Sequence, residues 1–243
     1  MKENSTTETV LNGLSEQKGK PAKGHKAAVD CLQMHRIPVI RQEAPGGKRR
    51  WYRIRFEGGL GGSSIADINK GRCSAVIPAW AILAAIYNEY DYNVASIRIG
   101  EADASIAASA ELVITIPSGE GAEFVKQQQD LMNQWLQEEY PADARMHCTI
   151  EKCEPQATIV NAEAVEALLS ILEQIPQGVV SMSDASKDVV ETSNNVGRIE
   201  TRNDDILVST LTHSRNAAEL EALCQEITHV FQEQGATSER VTE

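Results

Sequence analysis

The sequence predicts an α+β fold, in which a mixed or antiparallel sheet carries helices on one face. Residues 50–57 alternate between apolar and polar side chains, as a half-buried strand does. Residues 161–175 and 220–231 instead place apolar side chains at i, i+3, i+4 and i+7, the stripe of a helix packed on a sheet. The order of these patterns along the chain predicts two related β-α-β-β-α-β-like halves.

The first predicted half covers residues 25–155. A glycine-rich turn leads into its first helix, which we expect to end near Tyr90; Pro78 either kinks this helix or occupies its first turn. Ser118 is expected to cap the second helix, because a serine hydroxyl accepts hydrogen bonds from free helix N–H groups. The predicted strands of this half are residues 28–40, 50–57, 94–99, 111–116 and 146–151.

The second predicted half covers residues 156–235. It begins with a helix capped by Asn161, and a short apolar strand at residues 179–182 follows. Two longer strands then form a hairpin that turns at Asn203 and Asp204, residue types typical of turns. The striped final helix completes this half.

Both ends of the chain are predicted to be disordered tails. Residues 1–24 are rich in Lys, Glu, Ser, Thr and Gly and offer almost nothing to bury, and residues 236–243 are similar. The folded domain is therefore expected to cover residues 25–235.

The formal net charge is −12, from 23 basic and 35 acidic residues. Phosphate binding needs a basic footprint, so this balance disfavours nucleic acid as a partner. The sequence shows neither the apolar core of a signal peptide nor a run long enough to span a bilayer, which disfavours a membrane partner. Five cysteines spread over the chain are most simply interpreted as reduced thiols of a cytoplasmic protein.

Two polar segments are candidate functional regions. Residues 58–75 contain five glycines, of which Gly59, Gly61 and Gly62 let the backbone turn tightly, and a helix that starts nearby could bind an anion. A plain strand-to-helix turn explains the same pattern. In residues 189–200, Thr192, Ser193, Asn194 and Asn195 follow one another within a predicted strand and suit a peptide or carboxylate ligand. A hairpin edge with a bulge explains them equally well.

His213 is the histidine with the most suggestive neighbours, since Ser214 and Arg215 follow it at a predicted strand end, although a surface histidine is the simpler interpretation. No histidine pair has the spacing of a zinc site, and no second close cysteine pair accompanies Cys148 and Cys153. The residues alone therefore predict no catalytic residue and no metal ligand.

These segments resemble the aminoacyl-histidine (Xaa-His) dipeptidases, a family of zinc metallopeptidases. The family's glycine turn runs Gly-Gly-His-Ser-Gly, followed by Asp-Ile-His, Gly-Arg and Asn-Ala, and residues 61–75 (GGSSIADINKGRCSA) retain that frame. Residues 178–183, 190–197 and 210–214 also resemble family segments, in the same order. The resemblance runs from about His25 to Gly235.

The resemblance implies the lid domain of such an enzyme. In the family, a separate catalytic domain supplies the ligands of two zinc ions, and the lid closes over the dipeptide and helps to form the dimer. A chain that matches the lid alone is expected to hold no cofactor itself and to be non-catalytic by itself.

Several positions depart from the family pattern. Ser63 stands where the family has a lid histidine that is thought to polarise the scissile carbonyl, and Asn69 where it has a second histidine. Residues 103–108 (DASIAA) replace an Arg-Asn-Ala-Ile-Pro-Arg segment, so the cationic substrate clamp is absent, and His213 replaces an arginine. The residues that the resemblance still places near a substrate are Ser63, Thr192, Ser193, Asn195, His213 and Ser214.

Three functional hypotheses follow from the resemblance. In the first, the chain is a pseudoenzyme-like lid, free-standing or truncated, that binds a partner or forms a homodimer through its sheet or its first long helix. Alternatively, it is a component of a split or truncated cytosolic zinc dipeptidase, in which a partner chain holds the metal. A third hypothesis is a sensor that binds a small peptide in the retained pocket.

Overall fold

The computed structural model describes residues 29–184 and 186–242, so the predicted tail at residues 1–24 lies outside the described residues. Strands β1 to β13 are, in chain order, Val29–Pro38, Arg41–Glu43, Arg49–Glu57, Gly62–Ser63, Asn93–Ile99, Ser105–Ile106, Ala110–Pro117, His147–Lys152, Thr158–Val160, Gly178–Ser183, Ser186–Thr201, Asp205–Ser214 and Thr237–Arg240. Helices α1 to α4 are Val76–Glu89, Glu120–Glu139, Ala162–Gln174 and Ala217–Glu233.

Nine strands form the main sheet, in the order β13-β1-β12-β11-β5-β7-β3-β8, with β10 also paired to β11. Two small sheets, β2-β9 and β4-β6, complete the described strands. Every strand pair among the described residues is antiparallel. The predicted α+β class and its antiparallel sheet are thereby confirmed.

The first half of the sheet consists of β3, α1, β5, β7, α2 and β8, a β-α-β-β-α-β unit with the strand order β5-β7-β3-β8. The second half repeats this arrangement with β1, α3, β11, β12, α4 and β13, in the order β11-β12-β1-β13. The two halves meet where β11 pairs with β5, at Ile199↔Ile99 and Glu200↔Arg98. The predicted repetition is therefore present.

The boundary between the halves differs from the predicted one. β1 pairs with β12 along its whole length, from Val29↔Ser214 to Pro38↔Asp205, so the N-terminal strand belongs to the second half. The first half is thus inserted between β1 and α3. A pairing partner so far away along the chain leaves no local sequence signal.

The disordered C-terminal tail predicted for residues 236–243 is wrong for Thr237–Arg240, which form β13 on the outer edge of β1. Their polar composition suits an edge strand because the backbone ladder, rather than buried side chains, supplies much of the stabilisation. Arg240 adds two hydrogen bonds to Glu221 of α4.

The core lies between one face of the sheet and the helices. Tyr52, Ile54 and Phe56 of β3 all point into it, as the alternating pattern predicts. The helices contribute Ile82, Ile86, Val125, Met132, Leu136, Leu168, Ile171, Ile227 and Phe231. On the opposite face of β3, Arg53 and Arg55 pair with Glu111 at 3.4 and 3.0 Å, and these groups are partly exposed.

The helix ends agree only in part with those that the sequence predicts. Pro78 is the third residue of α1 and occupies its first turn, where its missing N–H costs nothing. Ser118 does not cap α2: the cap position is Gly119, at φ 129°, and it makes no side-chain cap bond. Asn161 does precede α3, but its Oδ1 accepts from the N–H of Ile40 instead. None of the described helices is long and apolar enough to cross a membrane.

Candidate functional site

The glycine turn after β3 is held together by the residues that carry the family resemblance. The N–H of Ser63 donates to Asp67 Oδ2 at 2.9 Å, and the same oxygen lies 3.1 Å from Arg72 Nη1. Arg72 Nη1 also donates to the carbonyl of Gly61 at 2.6 Å. At Gly62, φ is 119° and an added Cβ would collide with both the guanidinium and the carboxylate. The motif is thus one bonded unit that only glycine fits.

The Asp67 carboxylate is the charged centre of this turn. Hydrogen bonds from Lys70 and from the Ser63 N–H lower its pKa, and Arg72 adds to the effect. Lys70 Nζ lies 2.7 Å from Asp67 Oδ1. Asp67 is therefore a paired anion, which makes it a structural clamp rather than a base.

Asp143, which the sequence analysis did not single out, joins the two ends of the turn. Its Oδ1 accepts from the N–H of Leu60 at 2.9 Å and its Oδ2 from the N–H of Cys73 at 3.1 Å. The side chain is buried, in the 3₁₀ turn Pro141–Asp143 that follows α2. Burial also raises the pKa of the neighbouring Cys73 thiol, so this cysteine is no ready nucleophile.

Ser63 lies at the exposed tip of the turn, in β4. Its Oγ accepts from the N–H groups of Ile65 and Ala66 at 3.2 and 3.1 Å. Because these bonds occupy the oxygen, Ser63 stabilises the turn locally. β4 pairs with β6, which places Ser63 opposite Ser105.

Asn195 connects this turn to the main sheet. Its Nδ2 donates to the carbonyl of Ser105 at 3.0 Å, whereas its Oδ1 is buried and has no partner among the described residues. Nearby, Arg198 Nε lies 2.9 Å from Asp103 Oδ1, so this arginine is already paired. Gly197 contacts the same loop, and an added Cβ there would collide with the Asp103 carbonyl. We call the turn at residues 58–75, the loop at residues 100–109 and residues 191–198 the glycine-turn site.

The six residues predicted near a substrate occupy three places. Ser63 is in the turn, and Asn195 reaches it through Ser105. Alternation along β11 and β12 places Thr192 and Ser214 on the sheet face beneath α4, where their hydroxyls lie 2.9 Å apart and Thr192 Oγ1 donates to Glu219. Ser193 and His213 face each other in register on the opposite face, the face of Asn195.

His213 is buried rather than a surface residue, at 8 % exposure. Its Nδ1 contacts Asp30 Oδ1 on β1. β11 has a bulge between Val196 and Arg198, just after the run Thr192–Asn195. The run itself is no hairpin edge, since β12 and β10 flank it.

No group of three or more His, Cys, Asp or Glu is arranged to hold a metal ion within residues 29–184 and 186–242. All five cysteines are free thiols, and burial raises the pKa of Cys148 to about 12. The glycine-turn site can thus donate and accept hydrogen bonds, while Asp67 and Asp103 within it and Asp143 beside it already have partners.

Comparison with known proteins points in one direction. No family model matches the chain. The cytosol non-specific dipeptidase of Escherichia coli (strain K12) is 24% identical over 213 residues, which are 84% of this chain and 42% of that protein. The crystal structure of aminoacylhistidine dipeptidase from Vibrio alginolyticus shares the fold with a TM-score of 0.80 at 24% identity, over 92% of this chain and 46% of that one.

The fold and the glycine-turn motif therefore define a dipeptidase-like α+β domain. The chain is related to the aminoacyl-histidine (Xaa-His) dipeptidases, as its motifs predict. It spans less than half the length of either relative.

Three residues of this region carry no functional signal in the sequence: Asp143, Ser105 and Arg198. Asp143 follows a helix-stopping proline and carries no motif, so nothing in the sequence indicates its two backbone partners. Ser105 acts through its carbonyl, which no side-chain pattern reports. The Asp103–Arg198 pair joins a loop to strand β11, and the two segments are distant in the chain.

Proposed function

We propose that this chain is a lid and dimerisation domain of the dipeptidase type, which is non-catalytic by itself. The observation that carries the proposal is the combination of a shared two-half fold over 92% of this chain with coverage of only 46% of the dipeptidase it matches. Such a match supports the assignment of this chain to one structural unit of the relative.

The chemistry of the glycine-turn site supports a non-catalytic role. Asp103 stands where the family has a substrate-binding arginine, and it is paired with Arg198. Ser63 stands at the histidine position, and its Oγ is occupied by two backbone N–H groups. Losing one donor to a developing oxyanion typically costs about a hundredfold in rate. These substitutions favour loss of catalysis at this surface.

A second candidate is a component of a cytosolic zinc dipeptidase that acts on Xaa-His dipeptides. The coverage of 42% of the Escherichia coli dipeptidase favours it, since the rest of that relative has no counterpart in this sequence. In this case the metal would be bound by residues beyond this chain or on a partner chain.

A third candidate, a sensor for small peptides, is supported by Asn195. Its buried Oδ1 is an acceptor without a partner among the described residues, beside the Ser105 carbonyl. Because Asn195 is fully buried, a peptide N–H would satisfy this oxygen only after the surrounding contacts open.

The test uses the purified chain with zinc and a panel of Xaa-His dipeptides, and the Escherichia coli dipeptidase serves as the positive control. We expect no hydrolysis above background, together with a dimer by light scattering after size-exclusion chromatography. Turnover with stoichiometric zinc would contradict the non-catalytic role, and a monomer at all concentrations would contradict the dimerisation role.

Thermal unfolding with dipeptides distinguishes the sensor from the lid. A sensor is expected to show a midpoint raised by dipeptide in the wild type and not in Asn195→Ala. Absence of any shift in the wild type leaves the lid proposal standing and removes the sensor.

A further inference from the structure

A polar groove of about 460 Å³ lies in the helix layer, apart from the glycine-turn site. It runs between α1 and α3 and reaches the end of α4 at Gln234. Trp80 and Tyr87 line it from α1, and Glu163, Glu166 and Glu173 line it from α3. None of the described residues that line it is basic.

The position of the helix ends adds to the negative character of the groove. Tyr87 lies in the last turn of α1, and Gln234 follows the last residue of α4. Free carbonyls give a helix C-terminus partial negative charge, and neither of these last turns contains a basic residue. A cation is therefore favoured over an anion in this groove.

A smaller cavity of about 30 Å³ adjoins the groove, and Tyr87 and Glu166 line both spaces. This volume accommodates one group the size of a water molecule. Tyr92 lines the small cavity, is 8 % exposed, and its hydroxyl has no hydrogen-bond partner among the described residues. A buried phenol without a partner is uncommon and indicates a missing hydrogen-bonding group.

The groups around the small cavity suit an ammonium ion. Tyr87, Tyr92 and Glu166 all line this cavity, and the interaction of the Tyr87 hydroxyl with the Glu166 carboxylate raises the pKa of Tyr87. An ammonium N–H can donate to the phenol oxygen and to the carboxylate at once. The aromatic rings of Trp80 and Tyr87 add attraction for a cation at their faces.

The glutamates also have a defined spacing. Glu163, Glu166 and Glu173 fall on one face of α3, with rises of about 4.5 Å and then about 10.5 Å along the helix axis. Several cationic groups on one linear chain would match this row better than a single compact cation.

We propose that this groove binds a linear aliphatic polyamine, with one ammonium group seated in the small cavity between Tyr92 and Glu166 and the other ammonium groups along the glutamates of α3. The site is independent of the lid role, since none of its lining residues belongs to the glycine-turn site.

Isothermal titration calorimetry of the purified chain with spermidine tests the proposal. We expect saturable binding at one site, weakened about tenfold in Tyr92→Phe, because one hydrogen bond to a charged group is lost. Glu166→Gln and Glu173→Gln are also expected to weaken spermidine binding relative to the wild type. Glu226 is an exposed glutamate of α4 outside the groove, and Glu226→Gln is expected to change the affinity less than twofold.

Three results would overturn the proposal: no saturable heat, an equal loss in Glu226→Gln and Glu166→Gln, or unchanged binding in Tyr92→Phe. The last variant is informative because it leaves the charge unchanged. Since the Tyr92 hydroxyl has no partner among the described residues, the variant is expected to keep the thermal midpoint of the wild type. Glu173 is exposed on α3, so Glu173→Gln tests the groove without disturbing the core.

Discussion

His35 is a buried histidine that the fold holds neutral. Its ring stacks on Phe231 of α4 with centroids 3.7 Å apart, Nδ1 pairs with Ser238 Oγ at 2.7 Å, and Nε2 pairs with Thr210 Oγ1 at 3.0 Å. Burial lowers its pKa to about 3. The ring thus ties β1, β12, β13 and α4 together, and β13 depends on it through Ser238.

This depressed pKa predicts a stability that falls in mild acid. The unfolded chain binds a proton on this ring near pH 6.5, whereas the folded chain does so only near pH 3, so the free energy of unfolding decreases as pH falls between these values. From pH 7 to pH 5 the wild type is expected to lose about 2 kcal/mol more than His35→Gln in urea unfolding. His147→Gln, at an exposed histidine, is the control and is expected to lose as much unfolding free energy as the wild type. If His35→Gln also lost as much as the wild type, the role of this ring would be contradicted.

At the scale of single residues, the sequence predicts faces better than partners. Strand alternation is sufficient to separate Thr192 from Ser193, and the structure places them on opposite faces of β11. The stripe of α4 identifies Phe231 as buried. The stacking of His35 on Phe231 depends on segments far apart in the chain coming together, and no local pattern predicts this.

The edge strand β8 is covered by amide side chains of α2. Asn133 Oδ1 accepts from the N–H of Cys148 and its Nδ2 donates to the Cys148 carbonyl, at 2.7 and 3.0 Å. Gln129 Oε1 accepts from the N–H of Ile150 at 2.7 Å. These backbone groups do not bond to β3, so α2 supplies hydrogen-bond partners to an edge that could otherwise pair with another strand.

Removal of these amides is therefore expected to expose the edge. In Gln129→Ala/Asn133→Ala, three backbone groups of β8 lose their partners, and we expect a loss of about 2 kcal/mol in urea unfolding together with concentration-dependent association. Light scattering checks the association. Gln134→Ala, on the exposed side of α2, is the matched control; equal association of the control and the double variant would show that edge protection is not the cause.

At the scale of elements, the apolar pattern predicts the strands and helices that face the core. It misses β2, β4, β6, β9 and β13, which are short and polar or lie at an edge. Such strands exist because backbone groups of neighbouring segments need partners, and this need is set by the tertiary arrangement. Asn161 shows the same limit, since its Oδ1 binds Ile40 rather than its own helix.

The whole molecule is expected to unfold as one cooperative unit. The halves share β5–β11 pairing, and the Trp80 Nε1 of α1 donates to the Leu169 carbonyl of α3. Most of the buried side chains of both halves belong to one continuous cluster. The three tryptophans, Trp51, Trp80 and Trp135, all belong to the first half, so fluorescence reports that half and, through Trp80, its contact with α3.

Urea unfolding monitored by tryptophan fluorescence and by far-UV circular dichroism is accordingly expected to give coincident midpoints. A circular dichroism change that continues after fluorescence is complete would show that the second half unfolds separately. Unfolding at two protein concentrations controls for dimer formation, since dissociation would shift both midpoints with concentration.

At the scale of the whole molecule, the class, the helix-covered face and the repetition of halves follow from the order of the patterns. The interleaving of the halves does not. β1 stands next to β2 and β3 in sequence, yet its long partner is β12, and only the tertiary structure reveals that one half is inserted in the other.

This insertion has a consequence for synthesis on the ribosome. β1 emerges before β12, so the pairing of Ile37 with Ile206 cannot form until the inserted half has been synthesised. The inserted half can complete its own strand pairs while β1 is still unsatisfied, and closing so long a loop is slow. During that interval β1 offers an open template to other nascent chains. The pairing of β1 with β12 is therefore the step at which misassembly competes most with folding.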